Sequence, residues 1–380
     1  MRYGIIGTGM MGMEHLRNIA LLPDAEIAAL ADPDPRMLEE AGALARTLGH
    51  SPHLFAHHDD LLARERSLDA ILIAAPNHLH RAIMRDAMET GLPILCEKPL
   101  ATTLEDAWDL VAVGEAREAP IWVAMEYRYM PPVATLLDTV GDGTIGRPMM
   151  FSIREHRFPF LPKIGGWNRQ SAQTGGTMVE KCCHFFDLMR LALDSEPTRI
   201  FASGGQGMNV EEAADMGPTD VIDHAYTVVE FANGARAALD LCMFAEGSFW
   251  QEEVTAIGSL AKIEARVPGP ARFWPGGEER EGAVVLSPRH EKAPAQVDVP
   301  VDPTVLRAGD HHGATFYQHR AFARMVREGG PPAVSLRDGA MAVEMGLAAE
   351  TSMRTGEPVE FTWMPKDRRE AMPRAELTAR

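Results

Sequence analysis

Three stretches of this chain carry residues whose types and spacing could do chemistry. The first is Gly7-Thr8-Gly9-Met10-Met11-Gly12, a G-x-G-x-x-G run. Between a strand and a helix, Gly7 would allow a tight turn and Gly9 would let the backbone approach a pyrophosphate. Gly12 would let helix and strand pack closely. The N–H groups at Met10 and Met11 would then face phosphate oxygens at the positive end of a helix dipole. Asp32 lies twenty residues beyond Gly12, in the sequence Asp32-Pro33-Asp34-Pro35-Arg36. A carboxylate there accepts hydrogen bonds from ribose hydroxyls. It would repel a 2′-phosphate, which favours NAD over NADP, although Arg36 could hold that phosphate. The plainer role for Asp32 is a helix N-cap.

The second stretch ends two apolar strands. Ala75-Pro76-Asn77, with His80, should line the nicotinamide side, because ligands bind beyond the carboxyl ends of such strands. Glu97-Lys98-Pro99 ends the next strand. A Glu-Lys pair is usually an exposed ion pair of small worth. Opening onto a cofactor crevice, with a proline fixing the turn, Lys98 becomes a catalytic candidate. The third stretch runs from Gly175 to Asp187. On one helix, Glu180, His184 and Asp187 would fall at i, i+4 and i+7 on a single face. A histidine with a carboxylate one turn away is a plausible oriented general base. Cys182 and Cys183 are adjacent and point about 100° apart on a helix, with no second ligand cluster, so no metal site is expected.

These residues need elements to position them. Strand and helix patterns alternate through the first third. Strands are expected at Tyr3–Ile6, Glu26–Ala31, His53–Ala56, Ala70–Ala75, Pro93–Cys96 and Ile121–Met125. Alternating βα units predict a doubly wound parallel sheet of the Rossmann kind. Beyond residue 125 the rhythm changes. Strand patterns at Phe151–Glu155, Arg199–Ser203, Tyr226–Phe231, Ala235–Cys242, Glu253–Ile257 and Lys262–Glu264 include an Asn233-Gly234 hairpin signal. They predict an α+β domain with a large, mainly antiparallel open sheet. Helices are expected near Val179–Leu193, Phe316–Val326 and Arg337–Thr355, and 267–296 reads as an irregular excursion. The division is 1–124 for the dinucleotide, 125–364 for the substrate, and a polar tail at 365–380.

Composition narrows the class. With 37 basic and 54 acidic residues among 380, the formal charge is −17. Nucleic acid and anionic membranes call for basic patches, so neither is expected as a partner. No run approaches the roughly 20 apolar residues of a membrane span. A strand-like run at Tyr3 leaves no room for a signal peptide. Four cysteines form no disulfide framework, and a reducing cytoplasm is the simplest setting.

Through Gly7–Gly12, Ala75-Pro76-Asn77 with His80, Glu97-Lys98-Pro99, Gly175–Asp187 and Ser335-x-x-Asp338-Gly339, the chain resembles the Gfo/Idh/MocA oxidoreductase family. The similarity covers about residues 2–360. The resemblance implies a two-domain dehydrogenase with its active site between the domains. It implies Lys98 as the active-site lysine, with a cis link to Pro99, and His184 as the catalytic histidine. Glu180 stands where many members have aspartate, and Cys182 where many have glycine, which marks a distinct subgroup. It also implies a homodimer or homotetramer formed through the open sheet.

The expected activity is NAD-dependent, reversible oxidation of a secondary hydroxyl on a neutral sugar or cyclitol. Lys98, His184 and Glu180 are the expected catalytic residues. Arg128 joins the cofactor candidates. Arg157, Trp167, Arg169 and His312 are expected to hold substrate with them, and Asn168, His311 and Tyr317 are weaker candidates. Two alternatives are glycoside cleavage through transient oxidation and a non-catalytic dinucleotide-sensing regulator.

Overall fold

A computed structural model describes residues 1–209 and 218–361. The expected tail, 365–380, lies outside the described residues. Six short strands build the first sheet: β1 (Arg2–Ile6), β2 (Glu26–Ala31), β3 (His53–Phe55), β4 (Ala70–Ile73), β5 (Ile94–Cys96) and β6 (Ile121–Val123). Every pairing is parallel, in the order β3-β2-β1-β4-β5-β6. Strands covered by helices on both faces must be apolar throughout, and every residue of β4, β5 and β6 is buried. The order runs outward from β1 on both sides. The topological switch therefore opens a crevice at the carboxyl ends of β1 and β4.

The second sheet has nine strands: β7 (Pro148–His156), β8 (Pro197–Gly205), β9 (His224–Phe231), β10 (Arg236–Cys242), β11 (Trp250–Gly258), β12 (Ala261–Pro268), β13 (Gly282–Pro288), β14 (Ala295–Val299) and β15 (Val359–Glu360). Their order is β14-β13-β12-β11-β7-β10-β9-β8-β15. All pairs are antiparallel except β7 with β10. Burial alternates along β9 and β10, so one face meets the core and the other looks outward.

Three expectations need correction. The excursion at 267–296 contains β13 and the start of β14; Ala283 and Val284 are buried there, and two strands extend the sheet at that edge. The helix Pro131–Gly141, opened by proline at its first position, was not foreseen. The expected helix Val179–Leu193 is two helices, Thr177–Glu180 and Cys183–Leu193. The Cys182 N–H reaches back five residues to the Thr177 carbonyl, so an extra residue enters the turn. The i, i+4 alignment of Glu180 with His184 is lost there.

Among the described residues, two large hydrophobic cores underlie the sheets, beside a small cluster of Ala28, Ala29, Ala31, Leu61 and Leu68. The first gathers Tyr3, Leu16 and Trp122, and also takes Phe322, Ala340 and Val343 from late in the chain. The second gathers Ile153, Phe185, Phe186 and Leu239 with Met345 and Ala349. The helix Leu336–Thr355, started by a Ser335–Asp338 capping box, thus feeds both cores and joins the two sheets.

Candidate active site

At the dinucleotide end, two glycines are dictated by space. A Cβ on Gly7, whose φ is +94°, would lie 2.5 Å from the Ala74 carbonyl oxygen, and one on Gly12 would lie 2.3 Å from that of Gly7. Nothing lies within 4 Å of a Cβ position at Gly9. The helix Met10–Ile19 begins there with no side-chain cap and no acidic residue in its first turn. Its free N–H groups and open approach fit a dinucleotide pyrophosphate. Met10 is exposed and Met11 half-buried. One Asp32 oxygen accepts from Thr8 N at 2.7 Å and Thr8 Oγ1 at 3.0 Å, and the other from Asp34 N at 2.9 Å. The N-cap of helix Pro35–Thr47 is Asp34, which frees Asp32 from that duty. Pro33 is exposed between them. Arg36 is 3.0 Å from Asp34.

The ends of β4 and β5 bring the next group together. Ala75 and Pro76 are half-buried and Asn77 is buried. The His80 ring nitrogens face the Pro99 carbonyl at 2.7 Å and the Ala75 carbonyl at 2.9 Å. His80 therefore ties the two strand ends to each other. The Lys98–Pro99 peptide is cis. The Lys98 ammonium donates to the Glu180 backbone carbonyl at 3.1 Å. The Glu180 carboxylate accepts from Asn77 Nδ2 and sits 3.4 Å from Lys163 Nζ. Burial opposes the charge on Lys98, but Glu180, Cys183, Glu97 and Glu126 outweigh it and hold the ammonium above its ordinary range. Burial likewise opposes the Glu180 charge, and Lys163 and Lys98 overcome it, so the carboxylate stays below its usual range.

His184 lies against this group and is 1% exposed. Its ring stacks on Tyr127, with centroids 4.2 Å apart and planes 11° from parallel. Its Nδ1 is buried without a hydrogen-bond partner. Burial, and then the charges of Lys98, Lys181, His311 and Arg157, push its pKa well below the ordinary histidine value. His184 is therefore a neutral base at neutral pH. Neither carboxylate expected to orient it does so. Glu180 turns to Asn77 and Lys163. Asp187 takes both sides of the Arg128 guanidinium, at 2.6 and 2.5 Å. Arg128, expected at the cofactor, is spent on that pair and on the Ala333 carbonyl.

A second buried polar group sits behind the His184–Tyr127 stack. Lys181 bonds the Tyr127 hydroxyl and lies 2.8 Å from Glu155. Arg157 lies 3.3 Å from the same carboxylate. Glu252, pushed up to about 7 by burial and the neighbouring Glu155, accepts from the Tyr127 hydroxyl at 3.3 Å. Further along, Glu14 meets His311 at 2.7 Å and Thr315 at 2.9 Å, and Thr315 also bonds Glu126 at 2.6 Å. Glu14, Glu126 and His311 are close enough for metal ligation. Burial disfavours the His311 cation, yet Glu126 and Glu14 overcome it and raise its pKa to about 9.

The remaining substrate candidates scatter. Trp167 is half-buried, with the Lys163 ammonium 4.3 Å above its ring centroid and His78 against it at 6.4 Å. It shares the Lys98 side of the site. Asn168 donates to the Leu161 carbonyl at 2.9 Å, and Arg169 is buried beside it. His312 has φ +49° and a buried Nε2 without a partner. It lines a separate cavity of about 480 Å³ with Met10, Arg272, Arg280 and Asp310. Tyr317 stands away, under Arg320. Sequence reasoning missed Lys163, Tyr127 and Lys181. Lysine in a loop and tyrosine after a strand carry no local signal; only the folded chain brings them to Glu180 and His184.

Comparisons with known proteins bear on the two domains that carry these residues. The family model for the Gfo/Idh/MocA oxidoreductase NAD-binding Rossmann fold matches residues 1–125, and that for the family's C-terminal alpha/beta domain matches 138–361. A myo-inositol 2-dehydrogenase of Thermotoga maritima is 26% identical, covering 95% of this chain and 98% of its own. A 1,5-anhydro-D-fructose reductase of Ensifer adhaerens is 26% identical over the same shares. Among solved structures, a levoglucosan dehydrogenase in complex with NADH shares the fold with a TM-score of 0.78 at 22% identity, covering 96% of this chain and all of its own.

Proposed function

The chain belongs to the Gfo/Idh/MocA oxidoreductase family, and we propose that it oxidises a secondary hydroxyl of a neutral sugar or cyclitol with NAD. The observation that carries this reading is a donor and a base in one site: Lys98 Nζ bonds the Glu180 carbonyl at 3.1 Å, and His184, stacked on Tyr127 with a buried Nδ1 free of partners, lies close enough for the Lys98 charge to lower its pKa. A reversible alcohol oxidation needs both. Nicotinamide, when bound, accepts the carbinol hydride. Lys98 donates a hydrogen bond to the reacting oxygen and stabilises the negative charge that develops there. Neutral His184 takes the hydroxyl proton. Glu180 anchors Lys98 through its carbonyl and, with Asn77 and Lys163, forms a polar wall for a neighbouring hydroxyl. Trp167 adjoins that wall under the Lys163 ammonium, and we assign it, with the nearby Arg169, to substrate. Arg157 lies behind the His184 stack, and we assign it to the far end of the substrate; His312 lines the cavity beside Met10 and is given no substrate role.

NAD is favoured over NADP because Asp32 stands where a 2′-phosphate would be repelled and Arg36 is held by Asp34. We divide the chain near residue 124, with 1–124 serving the cofactor and 125–364 the substrate. Burial of the thiols of Cys96, Cys182 and Cys183, all free, agrees with a reducing cytoplasm. Met150, Tyr226 and Val228, exposed on the outer face of the nine-stranded sheet, form an apolar patch suited to a second copy of the chain. Sedimentation should give a dimer or tetramer of the 41.6 kDa chain; a monomer at micromolar concentration contradicts this.

The test of activity is a panel of myo-inositol, scyllo-inositol, levoglucosan and D-glucose with NAD. Net NADH from at least one is expected, and its loss in Lys98→Ala and His184→Ala. Cleavage of a glycoside without net NADH points to transient oxidation instead, and NAD binding without any turnover to a sensor.

A further inference from the structure

A row of buried side chains runs away from Lys98 on the side opposite the substrate wall. Glu97 Oε1 lies 2.9 Å from His15 Nε2, and His15 Nδ1 lies 2.8 Å from His319 Nε2. His319 Nδ1 is 3.5 Å from the Tyr3 hydroxyl. The four side chains come from the residue just after β5, the first helix, the helix Ala314–Glu328 and β1. Glu97 is 3% exposed and the other three are 0% exposed. The second Glu97 oxygen accepts from the backbone N–H of Lys98 at 3.2 Å.

Both rings neutral, one set of tautomers satisfies every atom in the row. The Tyr3 hydroxyl donates to His319 Nδ1, His319 Nε2–H to His15 Nδ1, and His15 Nε2–H to Glu97. Burial keeps His319 from taking a proton. The row ends at a fully buried tyrosine, which gives a proton no exit to solvent. It is therefore a chain of oriented donors rather than a relay.

We propose that His15, oriented by His319, is a positioning residue that fixes the Glu97 carboxylate and through it the placement of Lys98. This rests on the reading of Lys98 as the residue that holds the reacting oxygen. Small displacements of such a group cost rate steeply. Burial alone would neutralise Glu97; the His15 hydrogen bond, with the Lys98 charge, opposes that and holds its pKa below the usual carboxylate range. His15, Lys98 and His80 face it from the first helix, its own strand end and the helix His80–Met88; Glu126 after β6, Lys163 and the Cys96 thiol also feel its charge.

Two variants test the inference. In His15→Gln the side-chain amide can still donate to Glu97; in His15→Asn it is too short. With a turned-over polyol, kcat should fall little in His15→Gln and roughly ten- to a hundredfold in His15→Asn, with KM for NAD unchanged. The acid limb of kcat should move to higher pH in His15→Asn as Glu97 becomes easier to protonate. A crystal structure of His15→Asn needs no substrate and should show the Glu97 carboxylate and Lys98 ammonium displaced. Wild-type kcat, acid limb and Lys98 position in His15→Asn overturn the inference, as does His15→Gln no more active than His15→Asn. Lys98→Ala in the same assay separates the claims. If it retains full turnover, the catalytic reading of Lys98 fails; if it is dead while His15→Asn matches wild type, only the positioning role fails.

Discussion

At the scale of residues, the proposed mechanism asks two basic groups to hold different charge states. Lys98 is half-buried and His184 buried, and carboxylates surround the first while cations surround the second. Lys181 is the cation of that set that local sequence does not reveal. It lies within reach of Tyr127, the ring on which His184 stacks. Replacing it with methionine removes a positive charge and should let His184 protonate more easily. A base with a depressed pKa loses activity as pH falls through that pKa. The acid limb of kcat/KM, well below 6.5 in the wild type, should therefore rise by about half a unit to one unit in Lys181→Met. An unchanged limb contradicts the electrostatic account. The positions of Lys98, Asp32 and the three glycines were legible because each lies near a strand end; His184 stood out by its place in a helix pattern. Lys163 and Tyr127 were not legible, because their roles depend on contacts between segments far apart in sequence.

At the scale of elements, one broken helix reassigns three side chains. Periodicity alone puts Glu180, His184 and Asp187 on one face, and it cannot see the extra residue at Lys181–Cys182. With the break, Glu180 turns toward Lys163 and Asn77, and Asp187 lies on the following helix opposite Arg128. That last pair is buried, with Arg128 10% and Asp187 0% exposed. Removing one partner leaves a buried charge, so Asp187→Ala should cost about 3–5 kcal/mol in urea unfolding. The low end is expected because Asp338 stands 4.0 Å from the same guanidinium. A loss under about 1 kcal/mol would show the pair to be dispensable. The strands β13 and β14 escaped notice for another reason. Their flanks are rich in proline, glycine and charge, which masked the apolar Ala283–Leu286 run between them.

At the scale of the whole molecule, the two sheets were legible from the change of rhythm near residue 125, but their union was not. Late helices return to the first core, and Glu14, Glu126, His311 and Thr315 clasp the first helix to the segment after β14. The net charge of −17 opposes an anionic cofactor at long range, so its binding rests on the local helix end and backbone N–H groups. The same field is indifferent to a neutral polyol. The central claim is that a carbinol hydride leaves such a polyol for nicotinamide under the control of Lys98 and His184. Its most direct test uses a polyol deuterated at the oxidised carbon, with NAD and the wild-type enzyme. Mass spectrometry should find one deuterium in the NADH formed, and none formed in Lys98→Ala. NADH without the label, or full label transfer in Lys98→Ala, contradicts the account.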